Sequence, residues 1–121
     1  MKGLIIGMLS KTEKLERVVS ELKCSEYDTK DFLIISKNTG NFSDVKAIDS
    51  SKSGIFIAKV LGQLGLSIQD IRMYSRRIKN GEGFIAVPIK RGEENEVIDV
   101  LLQNSAEQIR RIEIGNGYVS G

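Results

Sequence analysis

The chain has no histidine, no tryptophan, one cysteine and one proline. Each shortage excludes something. Without histidine there can be no Ser-His-Asp or Cys-His nucleophile arrangement, and no zinc site built on imidazole. A single cysteine, Cys24, precludes an internal disulfide, which fits a reducing compartment and makes the cytoplasm the expected location. Aromatic residues are only 6% of the chain, few for a surface that stacks bases. No stretch reaches the ~18 apolar residues of a membrane span. The opening Met-Lys-Gly-Leu-Ile-Ile-Gly-Met-Leu is too short in its apolar run for a signal-peptide core, and no small-residue cleavage pattern follows it. Neither secretion nor a membrane span is therefore expected. A net charge of +2, from 18 basic and 16 acidic residues, is too balanced to imply nucleic acid by itself.

What is present is a repeat. The 121 residues make one domain by default. Gly83 to Ile89, Gly-Phe-Ile-Ala-Val-Pro-Ile, reads as a buried strand and opens a unit that echoes the start of the chain. Sliding the sequence by 80 positions (83 minus 3) sets Gly83 on Gly3, Ile85 on Ile5, Glu93 on Glu13, Ile98 on Val18 and Leu102 on Leu22. Both stretches run apolar strand, acidic helix start, apolar helix, second strand. The expected divisions of the domain are a first half over 3–36, a loop and helical insert over 37–80, a second half over 83–114 and a tail over 115–121. A split strand-helix-strand repeat predicts an α+β fold, a ferredoxin-like sandwich with a helical insertion between its halves, whose opening strands Leu4–Leu9 and Phe84–Ile89 pair centrally.

Local signals fill in the elements. Ser10 and Glu13 have capping-box spacing, and Leu15, Val18, Val19 and Leu22 give the helix behind them one apolar face, with Cys24 as a half-buried thiol at its end. Phe32 to Ile35 reads as a strand. Residues 36–53 are rich in turn formers and read as a loop. Within it, Ser50 to Gly54 lacks the Gly-x-x-x-x-Gly-Lys-Ser/Thr spacing of a phosphate-binding loop, so a plain linker is preferred. From Gly54 to Leu66 the chain is apolar on nearly all sides, which predicts a buried helix. Ser67 and Asp70 repeat the capping pattern, Ile68, Ile71, Tyr74 and Ile78 form an inner face, and Gly81 is the expected left-handed stop. Pro88 should mark a bulge or an end of strand pairing. Val97, Ile98, Leu101 and Leu102 form the buried side of the last helix, and Ile109, Ile112 and Ile114 belong to the last strand.

Both central strands are apolar on both sides, so two helices covering one face would leave the other bare. Either the segment from Gly54 to Ile78 folds back over that face or a second copy packs there. Gly54, Ala58 and Gly62 recur every four residues as a stripe of small side chains, which lets another backbone approach closely; they are the candidate interface of a homodimer. One further constellation carries charge. Arg72, Arg76, Arg77 and Lys79, joined by Lys90 and Arg91 at a strand end, form a basic ridge that is either a solvated helix face or a site for a small anion or nucleotide. Nucleic acid is not expected there, because only Phe32 and Phe84 could stack on bases.

The opening strand-helix-strand, the glycine-bearing apolar middle and the run Leu-Gly-Leu-Ser-Ile-Gln-Asp-Ile-Arg-Met-Tyr-Ser-Arg-Arg-Ile-Lys-Asn-Gly-Glu-Gly-Phe-Ile-Ala-Val resemble the small bacterial heat-induced or general-stress proteins. Tyr74, Gly81 and Phe84 to Val87 stand at the matching places, and the middle here is shorter and poorer in glycine. The resemblance covers about Gly3 to Ile114 and implies a stress-linked protein without catalytic residues to carry over. The expectation is thus a non-enzymatic domain, with no cofactor and no metal, acting through self-assembly or protein contacts. The alternative is a regulatory module that binds an anion on the basic ridge.

Overall fold

Alternation along two strands decides the architecture. The computed structural model describes residues 2–90 and 92–114, so the expected tail at 115–121 and Arg91 lie outside the described residues. Strand β1 (Lys2–Leu9) leads into helix α1 (Thr12–Cys24) and strand β2 (Leu33–Ser36). Strand β3 (Lys46–Asp49), helix α2 (Gly54–Gln63) and helix α3 (Ile68–Lys79) follow. Strand β4 (Gly83–Ile89), helix α4 (Glu94–Gln103) and strand β5 (Glu107–Ile114) complete the α+β chain. The sheet is mixed, in the order β3-β2-β4-β1-β5. β1 and β4 lie at its centre, antiparallel, with Gly3 opposite Ile89 and Leu9 opposite Gly83. β2 flanks β4 and β5 flanks β1, so the two halves of the sequence repeat are arranged symmetrically about the central pair.

Ile5, Leu9, Ile34, Ile85, Val87 and Ile89 point to one face, where Leu15, Val18 and Leu22 of α1 and Val97 and Leu101 of α4 cover them. Leu4, Ile6, Met8, Ile35, Phe84 and Ala86 point to the other. That second face is not bare. Ile57 and Leu61 of α2 and Tyr74 and Ile78 of α3, all fully buried, fold back over it within the same chain.

Several expectations change in physical detail. The 36–53 stretch is not all loop: Ser36 closes β2, and β3 pairs parallel to β2 from Leu33–Lys46 to Ser36–Asp49 and makes a fifth strand. Lys46 N–H donates to the Phe32 carbonyl and Ser50 N–H to the Ser36 carbonyl, which extends the ladder at both ends. The Ser10–Glu13 capping box does not form; Lys11 occupies the cap position of α1 without a side-chain bond. Ser67 does cap α3, its Oγ accepting from Asp70 N–H at 3.2 Å. Gly81, at φ +102°, ends α3 as expected, with Glu82 N–H reaching back to the Arg77 carbonyl. Pro88 stays within β4, but pairing to β2 covers only Phe84–Ala86, so the proline lies beyond the end of that ladder. Ile68 and Leu102 are exposed rather than inner, and Cys24 is exposed rather than half-buried.

One polar link ties α4 to the segment after α1. Tyr27 Oη donates to Glu96 Oε1 at 2.7 Å. Burial first, then that hydrogen bond and the charges of Glu96 and Glu93, push the phenol above the ordinary tyrosine range. Tyr74 is also raised, by burial foremost, although Arg110 and Arg77 oppose it. In the unfolded chain a tyrosine releases its proton near pH ~10. The folded state holds its proton to higher pH, so the contribution is complete below that value and is lost as pH rises towards the folded pKa. Stability should therefore fall with increasing alkalinity above pH ~10, and Tyr27→Phe should make that fall shallower. Urea midpoints measured across the alkaline range test this; an unchanged slope in the variant refutes it.

Candidate functional site

Helix α3 sets out its cations by helical spacing. Tyr74 and Ile78 turn to the sheet, which leaves Arg72, Arg76 and Lys79 outside. Basic residues in the last turn also suit the helix dipole, so their placement alone demands no ligand. Their surroundings add more. Arg72, Arg76 and Lys79 line a groove of about 400 Å³ with Ile71 and Ser75 of α3 and Gly54 and Ala58 of α2. The basic ridge and the small-residue stripe thus meet in one place, between two helices of the same chain. A methyl group built on Gly54 would lie 3.5 Å from Lys79 Cε, so the lysine stem runs over the first residue of α2.

The stripe is used inside the molecule. At Gly62 a methyl group would meet Ile71 Cδ1 at 3.6 Å, an ordinary contact, which leaves room for a side chain. Glycine in a helix interior costs about 0.5–1 kcal/mol relative to alanine. Gly62 is the last residue but one of α2, so Gly62→Ala should raise stability by at most about that amount. A lower urea midpoint would show that the close approach at Gly62 is needed.

The remaining members of the expected ridge go elsewhere. Arg77 does not face the groove: its Nε and Nη2 grip both oxygens of Glu82, at 2.9 and 2.8 Å, and Nη2 also reaches Glu107. The two carboxylates hold the guanidinium well above its ordinary pKa, chiefly through the hydrogen bonds to Glu82 and Glu107. Lys90 does not join the ridge either. It lies at the far end of β4, in a cleft with Glu26, Tyr27, Asp28, Asp31 and Glu93. Arg91 is outside the described residues.

A second depression adjoins the groove and shares Lys79 with it. This cleft, of about 490 Å³, is lined by Lys37, Asp49, Ser50, Ser51, Ile78 and Lys79. It sits where β2 and β3 end and the chain turns towards α2, the carboxyl edge at which open sheets with parallel strands place ligands. Ser50 is more than nine-tenths buried, and its hydroxyl has no partner among the described residues. The Ser75 hydroxyl in the neighbouring groove is likewise unpartnered. The one carboxylate in the cleft, Asp49, accepts from Ser51 N–H at 2.8 Å, and that bond holds it below the usual carboxylate range. No ion pair engages Lys37, Arg72, Arg76 or Lys79 among the described residues. Arg110 and Arg111, by contrast, hold Asp70 and Glu94.

Sequence reasoning missed Lys37, which has no periodicity to betray it, and set Ser50 to Gly54 aside as a plain linker for want of phosphate-loop spacing. The order strand, Ser-Ser-Lys-Ser-Gly, helix was the signal that could have found them. Among the described residues no cluster of carboxylate and thiol side chains could hold a metal ion, and no helix is long and apolar enough to cross a membrane. Comparison with protein families, curated proteins and solved structures finds no match.

Proposed function

We propose that the protein is a binding module for a phosphate-bearing anion, held along the α2–α3 groove and the adjoining cleft at the carboxyl ends of β2 and β3. One observation carries the reading: Lys37, Arg72, Arg76 and Lys79 converge on two depressions joined at Lys79 without a carboxylate bridging any of them. Cations gathered in this way attract an anion, and the free Ser50 hydroxyl supplies a donor beside them. The central β1–β4 pair flanked by β2 and β5, with α1 and α4 on one face, supports reading the scaffold as ferredoxin-like. In that reading β3, α2 and α3 are the insertion that builds the site. The assembly reading, a homodimer through Gly54, Ala58 and Gly62, has less support because those residues already face α3.

Thermal melts at low salt with inorganic phosphate, nucleotides and sugar phosphates test the proposal. At least one should raise the melting temperature, and added salt should reverse the shift. Arg76→Gln combined with Lys79→Gln should abolish it. A melting temperature unmoved by the whole panel overturns the proposal.

A further inference from the structure

The outer surface of α2 and α3 combines two features that a site for a dissolved anion does not need together. No carboxylate occurs in the sequence between Asp49 and Asp70, and the Asp70 side chain is taken by Arg110 Nη1 at 2.6 Å. Lys59, Arg72, Arg76 and Lys79 therefore stand on this layer as four cations with no carboxylate partner among the described residues, and Lys52, whose charge acts on Asp49, adjoins them. Among them large apolar side chains protrude into solvent. Ile55 is 85% exposed, Ile68 69% and Phe56 42%. Lys52 Nζ lies 6.0 Å from the centroid of the Phe56 ring, so charge and apolar surface are interleaved. The sequence predicts a buried helix here; the structure buries only Ile57 and Leu61 of α2 and leaves its outer side uncovered.

Charge decides what can cover it. A second copy laid across the same face would set these cations against their own equivalents, and like charges brought together repel. A dissolved phosphate compound satisfies the cations but offers nothing to Ile55, Phe56 or Ile68. An anionic bilayer answers both: its headgroups carry the phosphates, and its acyl boundary accepts short apolar insertions from a basic helical face.

We infer that the α2–α3 layer docks on the surface of an anionic membrane, with Ile55 and Phe56 entering the headgroup–acyl boundary and Lys59, Arg72, Arg76 and Lys79 meeting lipid phosphates. This rests on the anion-binding reading and names lipid headgroups as the anion. The attachment is peripheral and needs no spanning segment.

Co-sedimentation of the full chain with vesicles tests it. Binding is expected to phosphatidylglycerol mixed equally with phosphatidylcholine, and not to phosphatidylcholine alone. Each cation near such a surface contributes roughly fivefold to partitioning, so Arg72→Gln with Arg76→Gln should weaken it about 25-fold. Ile55→Ser with Phe56→Ser should weaken it by about tenfold or more. Both side chains are exposed, and an unchanged thermal melt checks that this variant folds. Equal binding to neutral vesicles, no vesicle binding, or vesicle binding indifferent to the Ile55 and Phe56 changes overturns the inference. Binding of a duplex oligonucleotide in the same buffer without vesicle binding overturns it in favour of a nucleic-acid partner. If dissolved phosphates still raise the melting temperature while vesicles fail, the anion site stands and the membrane inference falls; if both fail, both fall.

Discussion

Tyr74→Ala is expected to destabilise the fold by about 3–5 kcal/mol, the range for removing a fully buried aromatic side chain. Tyr74 is the residue through which α3 grips the sheet. Its ring meets Phe84 of β4 edge-on, with centroids 5.5 Å apart and planes inclined at 74°. Its hydroxyl donates at 2.8 Å to the Gln108 carbonyl of β5. Gln108 has φ +52°, at the irregularity where the β1–β5 register shifts between Ile6 and Met8. One side chain thus holds helix, central strand and bulged edge together. Tyr74→Phe keeps the ring and loses only the hydrogen bond, so it should cost about 0.5–1.5 kcal/mol. Urea unfolding with unchanged slope gives both values. If the phenylalanine variant were as unstable as the alanine variant, the hydroxyl rather than the ring would dominate. If alanine cost less than about 1 kcal/mol, α3 would be held by something other than Tyr74. The same residue bears on the proposed anion site, because α3 carries Arg72, Arg76 and Lys79: if that proposal holds, a loosened helix should weaken anion binding even where the chain stays folded.

The central part of this fold was legible because its signal is physical and local. Along β1 and β4 every residue is apolar or glycine apart from Lys2 and Pro88, which announces burial on both faces. Alternate residues do go to opposite layers. β3 was hidden for the converse reason. It pairs on one side only, carries Lys46 and Asp49, and is flanked by serines and aspartate, so neither alternation nor a long apolar run marks it. The candidate site was legible by half. Arg72, Arg76 and Lys79 share a helix, where spacing alone predicts a common face. Lys90 is expected beside them at a strand end, but it follows the far end of β4, whose seven residues at about 3.3 Å each put the strand ends roughly 20 Å apart. The burial expected of α2 failed because hydrophobicity alone cannot say whether a helix meets its own core or an outside surface. Ile55 and Phe56 remain in solvent although Ile57 beside them is fully buried.

A tight junction lies where α1 crosses the start of β4, and the expected result there is non-additive. A methyl group on Gly83 would sit 2.8 Å from Leu15 Cδ2, closer than real side-chain carbons approach. Leu15 is itself fully buried, so it has little freedom to move aside. Gly83→Ala should therefore cost about 1–3 kcal/mol through overpacking. Leu15→Ala should cost about 2–5 kcal/mol by opening a cavity. In the double variant the new methyl group occupies part of that cavity. Its cost should fall below the sum of the singles, with a coupling of about 0.5–3 kcal/mol. A double-mutant cycle from urea midpoints measures it. Strict additivity would mean that α1 shifts away from Gly83 at no cost, and that the glycine answers some other need of the β1–β4 pair. A favourable coupling would identify the glycine as what lets α1 lie this close to the central strands. At the equivalent glycine of the first half, Gly3, an added methyl group would lie 3.3 Å from the Ile112 carbonyl of the neighbouring strand rather than against a helix side chain. The two glycines that begin the repeat thus serve different contacts, and substitution at Gly3 should show no coupling to Leu15.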